Sequence, residues 1–378
     1  MVQLTNSINA SPFHLHYSLH PRLYRAPYTE TPISIDGNPH KEPWSSIPWS
    51  YDFDDIEGPS SSASPKKGCQ TRMKMAWDED FLYILAILHS DFEVRATFTE
   101  RNSPIFQQDS DFEVFLDPLG SCQFYKELEL NALNTVWNLM LDKPYWDGGS
   151  EHSGRIAKPG EEGYFEVQGQ KTAVNIVRGR INQIGEQRTS WAVEVAIAHN
   201  DTQQYLPHLS IPKIGDRWRI NFSRVEKKGE INWTWMPQRI WDPEVSKFMG
   251  KIDMHLPDAW GYVEFSSSTN NNTRVGEVPL EELMNGAGDS SWPARLAAMN
   301  IYYAQKKYNE DHNEYANDIL TLGDLVNREI LSPFAVELKT FNGKVYNVRI
   351  MDASGLVAIV NQERLLLVRS EEKISQSL

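Results

Sequence analysis

From Ile33 to Phe265 the chain is a succession of short apolar or alternating runs, each closed by Gly, Pro, Asn or Asp. Thr71-Arg72-Met73-Lys74-Met75-Ala76-Trp77 alternates polar and apolar side chains, the pattern of a half-buried strand. Phe81 to Leu88 is continuously apolar, which predicts a central strand covered on both faces. Further strands are predicted at Phe112 to Asp117, Thr135 to Leu141, Thr172 to Arg178, Ser190 to Ile197, Arg217 to Val225 and Tyr262 to Phe265. Many short strands punctuated by turn residues argue for a mainly β fold, an antiparallel two-sheet β-sandwich of jelly-roll type.

The pattern changes near the C-terminus. Ser290-Ser291-Trp292-Pro293 reads as a helix start, with hydroxyls placed to cap and Pro in the first turn. Leu296, Met299 and Tyr303 follow at helical spacing. Strands are then predicted at Val336 to Lys339, Val345 to Met351 and Leu365 to Arg369. This small α/β appendage resembles, locally, the globular half of pilin-like proteins, without the apolar N-terminal helix that anchors pilins. The expected organisation is a flexible arm over residues 1–28, a sandwich over 29–266, a Ser/Asn-rich linker over 267–290 and the appendage over 291–378.

Composition narrows the function classes. Of 378 residues, 40% are hydrophobic and 23% charged, so a packed core is expected. The formal net charge of −14, with no long Lys/Arg cluster, disfavours a nucleic-acid partner. No apolar run approaches the ~20 residues of a membrane span, and the polar start of the chain does not read as a secretory leader, so a soluble, cytoplasmic protein is expected. Cys69 and Cys122 lack metal-ligand spacing and read as buried thiols. His14, His16 and His20 lie in the expected arm, where the bland reading outweighs a metal site.

A series of blocks carries a family resemblance. Ile35-Asp36-Gly37 is followed by Trp44, then by Trp77-Asp78-Glu79-Asp80-Phe81-Leu82-Tyr83. Asp109-Ser110-Asp111-Phe112-Glu113-Val114-Phe115-Leu116-Asp117 comes next, and then a strand ending at Asn131. His255 to Phe265 reads as a closing strand. In order and spacing, residues 29 to 266 resemble the family 9 carbohydrate-binding modules. The resemblance implies non-catalytic binding of a mono- or oligosaccharide. It places a sugar-clamping aromatic near Phe106 and a second near His255, and polar partners at Glu113 and Asn131. It also places Glu129 where the family carries a base. Calcium is the cofactor the resemblance adds, and Asp109 and Asp111 in the Asp109-Ser110-Asp111 turn are the candidate ligands; a solvated acidic turn is the competing reading.

Sugar recognition needs flat aromatic faces for C–H stacking and planar amides or carboxylates for hydroxyls. Of 12 Trp, those within strands (Trp77, Trp191, Trp218) read as core. Trp146 and Trp241 lie among Asp, Gly and Pro and are the expected stacking faces, with Trp233 and Trp235 as further loop candidates. Residues 142–165, rich in Gly, Pro, Asp and Glu, form a long loop that serves as a lid or meets a protein partner. A glycosidase would need two carboxylates ~5–9 Å apart, and Asp111 and Glu113 on one strand face are about 7 Å apart by strand rise. Such pairs are common on ordinary strands, and no nucleophile elbow or phosphate loop accompanies them. The alternatives to sugar binding are an interaction scaffold with a decayed sugar site and a role linked to O-glycosyl hydrolysis.

Overall fold

The computed structural model describes residues 13–185, 188–268 and 274–370. Two compact units divide the chain. The larger comprises Pro21–Ile240 and Phe248–Val278, and the smaller comprises Met1–His20, Trp241–Lys247 and Pro279–Leu378.

The larger unit is a two-sheet sandwich. Its main sheet runs in the order β16 (Gly276–Glu277), β1 (Leu23–Pro27), β15 (Gly261–Ser266), β11 (Arg217–Glu226), β5 (Asp111–Asp117), β6 (Tyr125–Asn131), β7 (Val136–Leu141) and β8 (Glu151–Ser153). β12 (Ile231–Thr234) extends β11 and in turn pairs with β2 (Asp54–Asp55). β1 is parallel to β15, whereas β5, β6, β7 and β11 pair antiparallel. The second sheet, β3 (Thr71–Trp77), β4 (Phe81–Ser90), β10 (Thr189–Ala198) and β9 (Lys171–Arg178), is antiparallel throughout. β13 (Arg239–Asp242) and β14 (Lys247–Gly250) form a separate two-stranded ribbon.

Period-two alternation decides which side chains fill the gap between the sheets. Phe112, Val114 and Leu116 of β5 and Leu128 and Leu130 of β6 join one core with Met73, Met75, Ile84, Val193 and Val195 of the second sheet. The intervening residues of β5 and β6 therefore face away from that core. A second apolar cluster, including Ile105, Phe115, Tyr125, Trp137, Leu139, Met254 and Trp260, covers this outer face.

Two of the sequence blocks prove to be structural latches. Glu194 of β10 is fully buried, and its carboxylate accepts from the amides of Asp36 and Gly37 (2.8 Å each) and from Trp44 Nε1 (2.7 Å). Lys41 Nζ sits 2.9 Å from the same carboxylate. The Ile-Asp-Gly turn and the distant Trp are thus one object, pinned to the sheet by one acid. Gly37 has φ +75°, and a Cβ there would approach Asn175 to 3.1 Å. Asp78 closes the β3–β4 turn, accepting from the amides of Asp80 and Phe81 and from the Tyr83 hydroxyl at 2.9, 2.8 and 2.5 Å.

The smaller unit packs the helix Trp292–His312 on a four-stranded antiparallel meander, β17 (Ala335–Phe341), β18 (Val345–Met351), β19 (Leu356–Asn361) and β20 (Leu366–Ser370). Val348, Ile350, Val357, Val360 and Leu366 form the sheet side of its core. Ser291 does not cap the helix by its side chain; Asp289 accepts from the Ser291 amide instead, at 2.9 Å.

The expected arm differs in its described part. Leu23–Pro27 is an internal strand of the main sheet, and His16 is buried with Nε2 2.8 Å from the Ile330 carbonyl. Its apolar positions were too few for the pattern to register against the surrounding Pro and Ser. Residues 1–12 and the Ser/Asn-rich stretch 269–273 lie outside the described residues. Beyond that stretch, Gly276–Glu277 pairs with β1, inside the expected linker. Cys69 and Cys122 are both buried, and they are not bonded to each other.

Candidate functional site

β5 and β6 set the site by register. Glu113 on β5 stands directly opposite Glu129 on β6, and Phe115 stands opposite Glu127. On the other flank Ser223 of β11 opposes Glu113, and Trp137 of β7 opposes Glu129. All these side chains share the outer face of the main sheet. Like charges directly opposite on paired strands destabilise a sheet, so this arrangement works against the fold that carries it. Local rules are broken in this way chiefly where a site is built.

A pocket of about 400 Å³ opens over this face. Among the described residues its acids are Glu113, Glu127, Glu129 and Asp253, its aromatic lining is Phe106, Phe115, Trp137, Tyr145 and His255, and Arg155 is its cation. Arg155 is committed elsewhere: it pairs with Glu151 and lies over the Trp137 ring, 4.3 Å from its centroid. Phe106 stacks near-parallel on Trp137, with ring centroids 6.1 Å apart. Tyr145 meets His255 edge-on at 4.8 Å, and His255 Nδ1 lies 2.9 Å from the Tyr125 hydroxyl. Phe106 and Tyr145 are 37% and 47% exposed, so aromatic surface remains available to a ligand.

Burial dominates the electrostatics. It pushes the Glu113 carboxyl up to about 7, offset in part by the adjacent Ser223 hydroxyl. Burial and then the Glu113 charge hold Asp111 and Glu127 well above the usual carboxylate range. Glu129 is raised by burial and by both Glu113 and Glu127. Burial lowers the His255 imidazole to about 4, so it is neutral at physiological pH and does not compensate the acids. Asp111 Oδ2, Glu127 Oε2 and Glu129 Oε2 meet no N–H or hydroxyl donor on this face, while the Ser223 hydroxyl is engaged with Glu113. Unsatisfied buried oxygens of this kind call for a donor or a cation from outside the chain.

Four of the residues singled out from sequence, Glu113, Glu129, Phe106 and His255, line this one pocket. The others stand apart. Asn131 is buried and structural: its Nδ2 donates to Phe98 O and Asp109 Oδ2, and its Oδ1 accepts from the Leu133 and Thr135 amides. Asp109 is equally committed, accepting from Thr97 N, Thr97 Oγ1, Phe98 N and Asn131 Nδ2, which makes it a loop latch rather than a cation ligand. Asp111 has one oxygen on the Val225 amide at 3.1 Å and the other free to join the acid cluster. Trp146 is 44% exposed beside Tyr145 but does not line the pocket. Trp241 belongs to the smaller unit, where it is buried and donates to the Leu325 carbonyl at 2.8 Å. Trp233 and Trp235 are buried, bonded to Ala63 O and Glu277.

Sequence reasoning passed over Glu127, Trp137 and Tyr145. Glu127 and Trp137 were findable by alternation, since residue 127 shares a strand face with 129 and Trp137 sits across from Glu129. Tyr145 was masked by its neighbour Trp146. It reaches the pocket because the 142–165 segment folds back through a 3₁₀ turn at Tyr145–Asp147 and through β8, which also brings in Arg155.

Among the described residues no helix is long and apolar enough to cross a membrane. No curated protein matches the chain. Among solved structures, a protein from Bacteroides uniformis assigned to carbohydrate binding is similar at 16% identity, with 65% of this chain and 100% of that one covered and a TM-score of 0.47. A family 9 carbohydrate-binding module from Caldicellulosiruptor kristjanssonii, solved with cellotriose, is similar at 14% identity over 68% of this chain and 98% of that one, with a TM-score of 0.37. The glucose complex from the same organism gives 14% identity, coverage of 67% and 100%, and a TM-score of 0.38. Residues 35–140, which include β5, β6 and all but the last residue of β7, match the model of the Carbohydrate family 9 binding domain-like family.

Proposed function

We propose that this protein binds a carbohydrate, without chemical conversion, in the outer-face pocket of the sandwich. The observation that carries the reading is the convergence of exposed aromatic surface and unsatisfied carboxylates in one concave site. Phe106 and Tyr145 supply faces for sugar C–H groups, and Glu113, Glu127 and Glu129 accept from hydroxyls. The family match over residues 35–140 supports it, because the matched segment contains the strands that build the pocket. The acids and the neutral His255 leave the pocket suited to a neutral or cationic ligand and unsuited to a uronic acid or a sugar phosphate.

Calorimetric titration of mono- and disaccharides into the full-length protein tests this. Phe106→Ala and Tyr145→Ala should each weaken binding by about 1 kcal/mol, roughly fivefold in Kd. Their melting temperatures should stay close to wild type, because both side chains are partly exposed. A folded wild type that binds no sugar would overturn the reading in favour of an interaction scaffold.

A further inference from the structure

The outer face of the second sheet carries the opposite sign. Alternation sends Met73 and Met75 of β3 into the core, so Arg72 and Lys74 point outward. Ile87 of β4 lies across from Arg72, and His89 follows on the same face, opposite Ser190 of β10. A pocket of about 540 Å³ opens here, lined by Arg72, Lys74, His40, His89, Trp49 and Gln70, and no acid stands among its described lining residues. The chain as a whole has a net charge of −14, so this wall is locally reversed. Lys74 is its unusual member: it is 4% exposed, yet it forms no ion pair among the described residues. Its Nζ donates to the Trp44 carbonyl and stands 4.2 Å from the centroid of the Trp49 ring. Those contacts fix the ammonium without neutralising it, whereas buried charges are ordinarily paired. Burial lowers it to about 8, and the Glu42 charge works against that shift. Arg72 gives Nε to Asp52 and keeps its two terminal nitrogens unpartnered among the described residues. Gln70 has its Oε1 on the Gly68 amide, which leaves its NH₂ to donate. His89 has Nδ1 2.7 Å from Ser190 Oγ, which leaves Nε2.

We infer that this pocket is a second ligand site, selective for a small organic oxyanion of monosaccharide size, whose carboxylate or phosphate is held by Lys74 and Arg72. The groups left over on this wall, the Lys74 ammonium, the Arg72 fork and the Gln70 NH₂, are donors. A group that only accepts is their complement, and carboxylate and phosphate oxygens are such groups. A bare inorganic anion would fill a small part of the volume. Ile87, Pro39 and the Trp49 ring give the rest of the pocket an apolar wall, which suits an organic body behind the anion. The inference stands on the second sheet alone and does not rest on the sugar reading of the acid-lined pocket. That pocket belongs to the main sheet and repels the ligands this one takes.

The test titrates glucuronate, glucose 6-phosphate, inorganic phosphate and glucose into the full-length protein, followed by calorimetry and by saturation-transfer NMR of the ligand. Saturable binding of glucuronate or of glucose 6-phosphate is expected, and which of the two binds more tightly tells a carboxylate site from a phosphate site. Lys74→Met keeps the apolar stem and should weaken that binding roughly tenfold or more. Arg72→Gln, at a half-exposed position, should weaken it roughly threefold. The double variant should abolish it, and titration of glucose should be the same in all four proteins. Lys74→Met removes a buried charge that has no counter-ion, so its melting temperature should hold or rise. If Lys74→Met does not fold, the loss in Arg72→Gln carries the test. No saturable anion binding by folded wild type, or anion binding unchanged in the folded variants, would overturn the site. Glucose binding that falls in step with anion binding in Lys74→Met would overturn it too, because Lys74 would then be supporting the sandwich rather than holding an anion. Inorganic phosphate bound as tightly as the sugar anions would overturn the organic-ligand half of the inference.

Discussion

At the scale of single residues, the side chains of the motif blocks divide by whether their polar atoms are already satisfied. Asp109, Asn131, Asp78 and Glu194 have their oxygens filled by backbone amides or by fixed side chains and hold turns in place. Glu127 and Glu129 line the pocket and each keeps one oxygen without an N–H or hydroxyl donor. Hydrogen-bond saturation therefore separates scaffold from site where residue type cannot. Trp241 is the sharpest case, since its setting among Asp and Pro suggested exposure and it is 5% exposed. Trp241→Ala should remove a packed indole and strand the Leu325 carbonyl, costing about 3–5 kcal/mol of stability in the smaller unit. Sugar titrations into that variant, at a temperature where it is folded, should match wild type. A loss of sugar affinity with unchanged stability would instead place Trp241 in a binding site.

At the scale of elements, alternation made most of the sandwich legible. The runs at Thr71–Trp77, Phe81–Leu88, Phe112–Asp117 and Ser190–Ile197 coincide with β3, β4, β5 and β10 to within a few residues. Cross-strand register is a long-range property that alternation does not reveal. That Glu113 faces Glu129, and that Ser223 faces Glu113, depends on how β11, β5 and β6 slide past one another. The floor of acids was therefore visible only as separate strand residues, and β1 was missed because its partner β15 lies more than two hundred residues away. The same long-range logic explains why an Ile-Asp-Gly turn and Trp44 belong to one motif: Glu194, on a strand far along the chain, holds both. Glu194→Ala should leave the amides of Asp36 and Gly37 and the Trp44 indole without their acceptor, at a cost of about 3 kcal/mol or more. Hydrogen exchange would register this as faster exchange across residues 36–44, with the β5–β6 pairing protected as before. Uniform loss of protection over the whole sandwich would mean that the latch nucleates the unit rather than fastening one loop.

At the scale of the whole molecule, each unit has its own apolar core, one between the sandwich sheets and one between the helix Trp292–His312 and the β17–β20 meander. The pocket and the acid cluster are built wholly from the larger unit. A ligand that binds only the folded state stabilises the unit that holds its site by RT ln(1 + [L]/Kd), about 2.7 kcal/mol at a hundred times Kd. For a unit of this size that corresponds to a rise in Tm of roughly 5–10 °C. Differential scanning calorimetry of the full-length protein should therefore resolve its transitions by their response. Sugar should raise the transition of the sandwich and leave that of the smaller unit in place, whereas Trp241→Ala should lower the smaller unit's transition alone. If ligand and Trp241→Ala move one single transition together, the two cores unfold as one cooperative block, and stability in the smaller unit becomes part of what sets affinity in the pocket.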